Sequence, residues 1–242
     1  MERKDVIQLI IDKLSARKYL EIGVFDGRCF MEIRAPYKTA VDPDMKITFR
    51  YKLHAIRKRP ENLRNKYKHT TSDIFFNEII RSNKKTVFDV VFIDGLHTYQ
   101  QTFFDIIHTL QHIHLHSALV LHDINPETEA LALPAASRSA ARSVHKEKSF
   151  WCGDSWKSFH HFIQLNKRLD QFDLFTLNCD YGLGIAFPKP NFNPSDWMNL
   201  KPEKFYEELP YSFLEQKRKE VISLVDPEYL HHYLNNKTLR AT

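Results

Sequence analysis

Glycine is scarce in this chain, with six in 242 residues, where an average protein devotes about 7% of its positions to it. A sequence so sparing places glycine where the backbone requires it. Cysteine is scarcer still. Cys29, Cys152 and Cys179 are odd in number and far apart, which excludes a disulfide framework and a zinc-ligand spacing. No apolar run approaches the roughly 18 residues of a membrane-spanning helix. Met1-Glu2-Arg3-Lys4-Asp5 leads into an amphipathic pattern and not into a signal-peptide core, so the expected location is the cytoplasm. The length suffices to bury a core without disulfides or structural metal.

The net charge of +5 permits an anionic partner: a glycan, a nucleic acid or a membrane surface. Apolar periodicity predicts a helix through about Ser15, a strand at Tyr19–Gly23, a strand at Tyr37–Asp42, and a basic helix near 47–58. A weak strand near 67–71 precedes a helix from Asp73 to about Asn83, with Ser72 as its N-cap. Buried strands follow at Phe88–Asp94 and Ser117–His122, on either side of a helix at 98–112. Strands alternating with helices imply βαβ units and a parallel sheet. Residues 172–179 and 183–187 read as a hairpin turning at Asp180-Tyr181-Gly182. The expected fold is α/β: a doubly wound, Rossmann-like, seven-stranded sheet, mostly parallel, with an antiparallel C-terminal hairpin. Residues 1–190 form the expected domain. Residues 191–242, rich in proline at the start and ending in a helix at about 212–224, form a packed appendage.

Two of the six glycines sit in Glu21-Ile22-Gly23-Val24-Phe25-Asp26-Gly27, directly after the first strand. A tight turn there lets a ligand approach bare backbone. Asp42 ends the second strand about twenty residues on, where a carboxylate accepts from ribose hydroxyls. Asp73 follows the third strand, on the side of an adenine amino group, and Asp94 ends the fourth. Dinucleotide binding prefers G-x-G-x-x-G, and this chain has Glu-x-Gly-x-x-x-Gly instead. These residues resemble the S-adenosylmethionine (SAM)-dependent class I methyltransferases. Glu21, Gly23 and Gly27 match the first motif of that family, Asp42 its ribose acid and Asp73 its adenine-side acid, over roughly residues 1–190. The resemblance implies SAM lying across the carboxyl ends of the first two strands, in contact with Phe25, Asp26 and Asp94 as well.

Ile93-Asp94-Gly95-Leu96-His97 and Leu121-His122-Asp123-Ile124-Asn125-Pro126 both follow buried strands. Methylating a hydroxyl requires in-line displacement and removal of the hydroxyl proton. A base or a cation that lowers the alcohol's pKa must assist. Asp94, His122 and Asp123 could hold a divalent ion, and His97 could take the proton. The two stretches look like those of metal-dependent sugar O-methyltransferases of the macrocin type. That resemblance implies Asp94 and Asp123 as magnesium ligands and His97 as base. His122 departs from it, because a carboxylate is usual there and imidazole favours manganese or softer ions over magnesium; Asn125 offers an alternative oxygen. The histidines at 108, 112, 114 and 116 fall at the opposite end of the sheet and are rejected as a metal site.

The long connection after Asn125 is expected to cover an acceptor, with Trp151 and Trp156 against sugar faces and Arg138 and Arg142 on an anionic group. The expected function is therefore O-methylation of a sugar or glycan hydroxyl, with His97 and Asp94 catalytic. The alternatives are another small-molecule or RNA acceptor, or a non-catalytic SAM-fold module that partners a glycosyltransferase. A homo-oligomer is compatible with the sequence.

Overall fold

The computed structural model describes residues 1–82, 86–137, 140 and 151–240. Arg138 and Arg142 lie outside them. Helix α1 (Arg3–Leu14) leads into β1 (Lys18–Ile22), α2 (Arg28–Glu32), β2 (Tyr37–Val41), α3 (Phe49–Lys58), β3 (Lys66–Lys68), α4 (Ser72–Arg81) and β4 (Val90–Ile93). Then come α5 (Tyr99–Leu110), β5 (Ala118–Leu121), α6 (Ser155–Leu169), β6 (Phe172–Leu177) and β7 (Leu183–Pro188). With Leu224–Val225 as β8, the sheet order is β3-β2-β1-β4-β5-β7-β6-β8. Strands β3, β2, β1, β4 and β5 are parallel neighbours, whereas β7 runs antiparallel to both β5 and β6.

Both faces of this sheet are buried, which is why its central strands read as continuous apolar runs. Alternate residues divide between two cores. Leu20, Ile22, Val91, Ile93, Leu119 and Leu121 pack beneath α4, α5 and α6. Tyr19, Val90, Phe92, Ala118 and Val120 pack with Val6, Ile7 and Ile10 of α1 and with Phe30 of α2. Lys38 on β2 is 1% exposed, and its ammonium donates to the Phe30 and Ile33 carbonyls at 2.7 and 2.8 Å. It thereby satisfies orphan acceptors at the end of α2, the short helix that follows the glycine loop.

Three expectations are corrected. The sheet has eight strands, not seven, because Leu224–Val225 (β8) adds beside β6 in parallel. The final helix expected at 212–224 is absent; Tyr211–Gln216 and Arg218–Val221 are separate short helices. Non-helical Lys217 (φ −134°) and left-handed Ser223 (φ 53°) interrupt the pattern, and the terminal helix is instead Glu228–Arg240. Its Leu230 and Leu234 join the core shared with α1. The N-cap of α4 is Thr71, which accepts from the Ile74 amide; Ser72, one residue too late to cap, turns its hydroxyl elsewhere. Among the described residues, no helix is long and apolar enough to cross a membrane.

Candidate active site

Successive parallel strands end at one edge, and the loops beyond β1, β2, β4 and β5 open a cleft of about 1400 Å³. Its first wall is the glycine loop. Gly23 has φ 85°, and a Cβ there would lie 1.9 Å from the Asp94 carbonyl oxygen, so only glycine allows β1 and β4 to finish side by side. Gly27 (φ 77°) starts α2, and a Cβ there would press on Ile47. Between them, Phe25 (φ 44°) donates its amide to Asp42 Oδ2 at 2.7 Å, and the Asp44 amide donates to Asp42 Oδ1 at 2.7 Å. Asp42 thus fixes two loops while each oxygen keeps a second lone pair for a ligand. Asp26 pairs with its neighbour Arg28 at 3.0 Å.

Glu21 is 1% exposed and accepts from the Tyr19 hydroxyl at 2.5 Å. Burial raises its pKa to about 8; the Tyr19 hydrogen bond opposes this and Asp94 adds to it. It is therefore a neutral acid at pH 7. On the far side of the cleft, Ser72 and Gln101 donate to Oδ1 of Asp105 at 2.5 and 3.1 Å. Burial pushes the Asp105 carboxyl up to about 7 against those two hydrogen bonds. Asp73 accepts from Gln101 at 3.4 Å, and its side chain is half-exposed at the rim.

The charged end of the cleft is built from four elements. Asp94 Oδ2 takes 2.7 Å from the Arg3 guanidinium at the start of α1, and Asp94 Oδ1 lies 3.1 Å from His97 Nε2. His97 Nδ1 is 3.0 Å from the Trp151 carbonyl, which can only accept, so this nitrogen carries a proton. The Trp151 ring lies 4.7 Å from the imidazole. His122 is buried, with Nδ1 3.3 Å from Asp94 and 3.0 Å from Asp123. Neither approach has hydrogen-bond angles, so the attraction acts through charge. Asp180, in the β6–β7 turn, closes the group at 3.0 Å from Arg3 and 3.4 Å from His122 Nε2.

Burial opposes charge on each of these groups, and the neighbours outweigh it. His122 is raised well above the ordinary imidazole value by Asp123 and Asp94, and His97 is raised by the same pair. Asp94 is held well below the carboxylate range by His122, His97 and Arg3. Three carboxylates face one guanidinium, and the two further positive charges needed for neutrality come from two imidazoliums or from one divalent cation. The backbone is strained where this charge gathers. Phe25, Asp123, Asp180 and Tyr181, four of the seven left-handed non-glycine residues described, line the cleft.

The structure thus brings Glu21, Gly23, Phe25, Asp26, Gly27, Asp42, Asp73, Asp94, His97, His122, Asp123 and Trp151 to one cleft. Trp156 is corrected: it is fully buried in the core and touches no cleft, because it faces inward on the first turn of α6. Asn125 is not free as a ligand, since its Oδ1 accepts from Arg218. Arg3, Asp105 and Asp180 were missed. Their signals are faint, because nothing in a helix start, a helix interior or a hairpin turn announces that it meets a strand end. Among the described residues, Asp94, His97 and Asp123 are the group of potential ligand atoms close enough for one metal ion, all within 4.8 Å of one another.

Residues 20–124 match a family model described as a methyltransferase domain. Over that stretch, less than half of the chain, the sequence is similar to a methyltransferase domain. The chain's fold is that of the class I methyltransferases. Similar solved structures include an O-methyltransferase from Bacillus cereus in complex with SAH (14% identity, 77% of this chain and 80% of that one, TM-score 0.51). TomG from Streptomyces achromogenes, involved in tomaymycin synthesis and solved with SAM, is 10% identical over 77% and 79% of the chains, with a TM-score of 0.55. The SAH-bound methyltransferase PaMTH1 of Podospora anserina is 12% identical over 77% and 78%, at 0.52. At such identities the likeness concerns the fold. No curated protein matches this chain in sequence.

Proposed function

We propose that this methyltransferase transfers a methyl group to a hydroxyl oxygen of a small-molecule acceptor, a sugar or glycan, with His97 removing the hydroxyl proton. The observation that carries the reading is the setting of His97. The Trp151 carbonyl holds Nδ1–H and Nε2 faces Asp94 Oδ1 at 3.1 Å, so Nε2 is the atom that serves as base once it has released its own proton and the acceptor hydroxyl takes the place of Asp94 beside it. SAM, when bound, supplies an electrophilic methyl on a sulfonium. Asp94 orients the imidazole and stabilises the imidazolium formed as the proton arrives. Glu21, neutral beneath the glycine loop, adds no further negative charge to a site already holding three carboxylates. Trp151 offers an apolar face beside the base, as a sugar ring requires.

Asp94 and Asp123, with His122 beside them, would hold a divalent ion, whose chemistry is to lower the acceptor hydroxyl's pKa. His97 Nε2 has one lone pair and cannot both ligate and accept the proton. This donor set of carboxylate and imidazole suits manganese better than magnesium. The test is methyl transfer from labelled SAM to a panel of sugar nucleotides and glycans, with and without EDTA. Labelling of a hydroxyl is expected; labelling of RNA alone, or of nothing in a protein that binds SAH, would replace this reading with one of its rivals.

A further inference from the structure

Between Lys46 and Lys68 the chain carries nine lysines and arginines against one acid, Glu61, a net +8 in a protein whose total is +5, so the other residues sum to −3. No step of the reaction above uses this charge. The segment folds as one block at the β3 edge of the sheet: α3, a short 3-10 helix at Pro60–Arg64, and β3. The Lys52 ammonium lies 3.9 Å over the Tyr67 ring, and the Asn62 amide donates to the Ala55 and Met31 carbonyls at 3.1 and 3.3 Å. Lys58 and Arg59 pair with Glu32, and Lys68 with Glu78. Arg50, Arg57, Arg64 and Lys66 are exposed and, among the described residues, pair with no carboxylate.

Large apolar side chains stand among these free cations. Ala55 and Tyr51 turn one face of α3 into the core shared with α1 and α2. The opposite face carries Phe49, Leu53 and Arg57 at four-residue spacing, with Arg50 beside them. Phe49 is 74% exposed, and Leu63 on the 3-10 helix is 70% exposed. We infer that this block docks the protein on an anionic phospholipid surface. The arginines and Lys66 meet headgroup phosphates, while Phe49, Leu53 and Leu63 enter the boundary between headgroups and acyl chains. A soluble polyanion uses the charge but leaves the two leucines in water. A platform for nucleic-acid bases needs aromatic faces, and of Phe49, Tyr51 and Tyr67 only Phe49 is exposed. Lys46, Tyr51 and Lys58 also line the cleft, so the docked protein holds its cleft beside the headgroups, within reach of an acceptor carried on a lipid. The inference does not depend on which hydroxyl is methylated.

The test is co-sedimentation of the full chain with vesicles of phosphatidylcholine, with and without about 30% phosphatidylglycerol. The wild type is expected to bind the anionic vesicles at least about tenfold more tightly than the neutral ones. Arg50→Glu with Arg57→Glu is expected to lose that preference. Phe49→Ser with Leu53→Ser keeps every charge and is expected to weaken vesicle binding about tenfold or more. Because all four side chains are exposed, both variants are expected to keep the wild-type melting temperature, which confirms that folding is intact. Equal binding to the two vesicle types overturns the inference. Full vesicle binding by the Phe49→Ser, Leu53→Ser protein overturns it too, since adsorption is then by charge alone. Tighter binding to a single-stranded RNA oligomer than to anionic vesicles, unchanged in that same variant, assigns the block to nucleic acid instead.

Discussion

The two ends of the cleft are built on opposite principles. The glycine-loop end is quiet: Asp42 and Asp105 are each held by two hydrogen bonds from neighbouring elements, and among its non-glycine residues only Phe25 has a left-handed φ. The reactive end is crowded with Asp94, Asp123, Asp180, Arg3, His97 and His122, none of them carried by a regular strand, and three of its loop residues adopt left-handed φ. Recognition of a fixed ligand needs preformed partners. Chemistry needs opposed charges close together in a poorly solvated space, where each sets the protonation of the next. The difference teaches where to look for function in such a sheet: at the end where unlike charges are compressed, not where acids are merely well bonded.

Substitutions can break this contrast. His97→Ala is expected to lower kcat by about 10³, the size of a general-base contribution, while calorimetry finds SAH affinity within about threefold of wild type. An active His97→Ala enzyme removes the base from the account. Gly23→Ala forces a Cβ into the Asp94 carbonyl at a left-handed φ and is expected to cost about 3 kcal/mol, read by urea unfolding, with loss of SAH binding.

Glu21 sharpens the contrast through pH. Burial raises its folded-state pKa to about 8 from 4.5, so between those values the folded protein holds a proton that the unfolded chain has released. Stability contributed by this group therefore falls as pH rises from about 4.5 to 8. Glu21→Gln removes the fall: the variant is expected to match wild type at pH 4.5 and to exceed it at pH 9 by on the order of 2 kcal/mol. Parallel unfolding curves at the two pH values would contradict this. The smallest effect is expected from Arg3→Ala. Arg3 is partly exposed, and its loss leaves Asp94 and Asp180 to the histidines at a cost of about 1 kcal/mol, visible as a melting temperature lower by roughly 3 °C.

Much of this was legible in the sequence. The buried strands at Val90–Ile93 and Ala118–Leu121 showed as unbroken apolar runs because helices cover both faces, and the hairpin showed in Asp180-Tyr181-Gly182. The glycine loop and the acids at 42, 94 and 123 stood at strand ends, where local pattern and function coincide. What stayed hidden depended on tertiary approach. β8 is two residues long, too short for periodicity to register. Trp156 looked like a substrate contact because aromatics read alike whether they face a cleft or a core. Arg3 and Asp105 needed the packing of α1 and α5 against the sheet before their side chains acquired partners.

The most direct test is a crystal structure with S-adenosylhomocysteine bound. The ribose is expected at Asp42 and the sulfur beside Asp94 and His97. Density for the nucleoside anywhere outside this cleft, or a sulfur far from His97, would contradict the account.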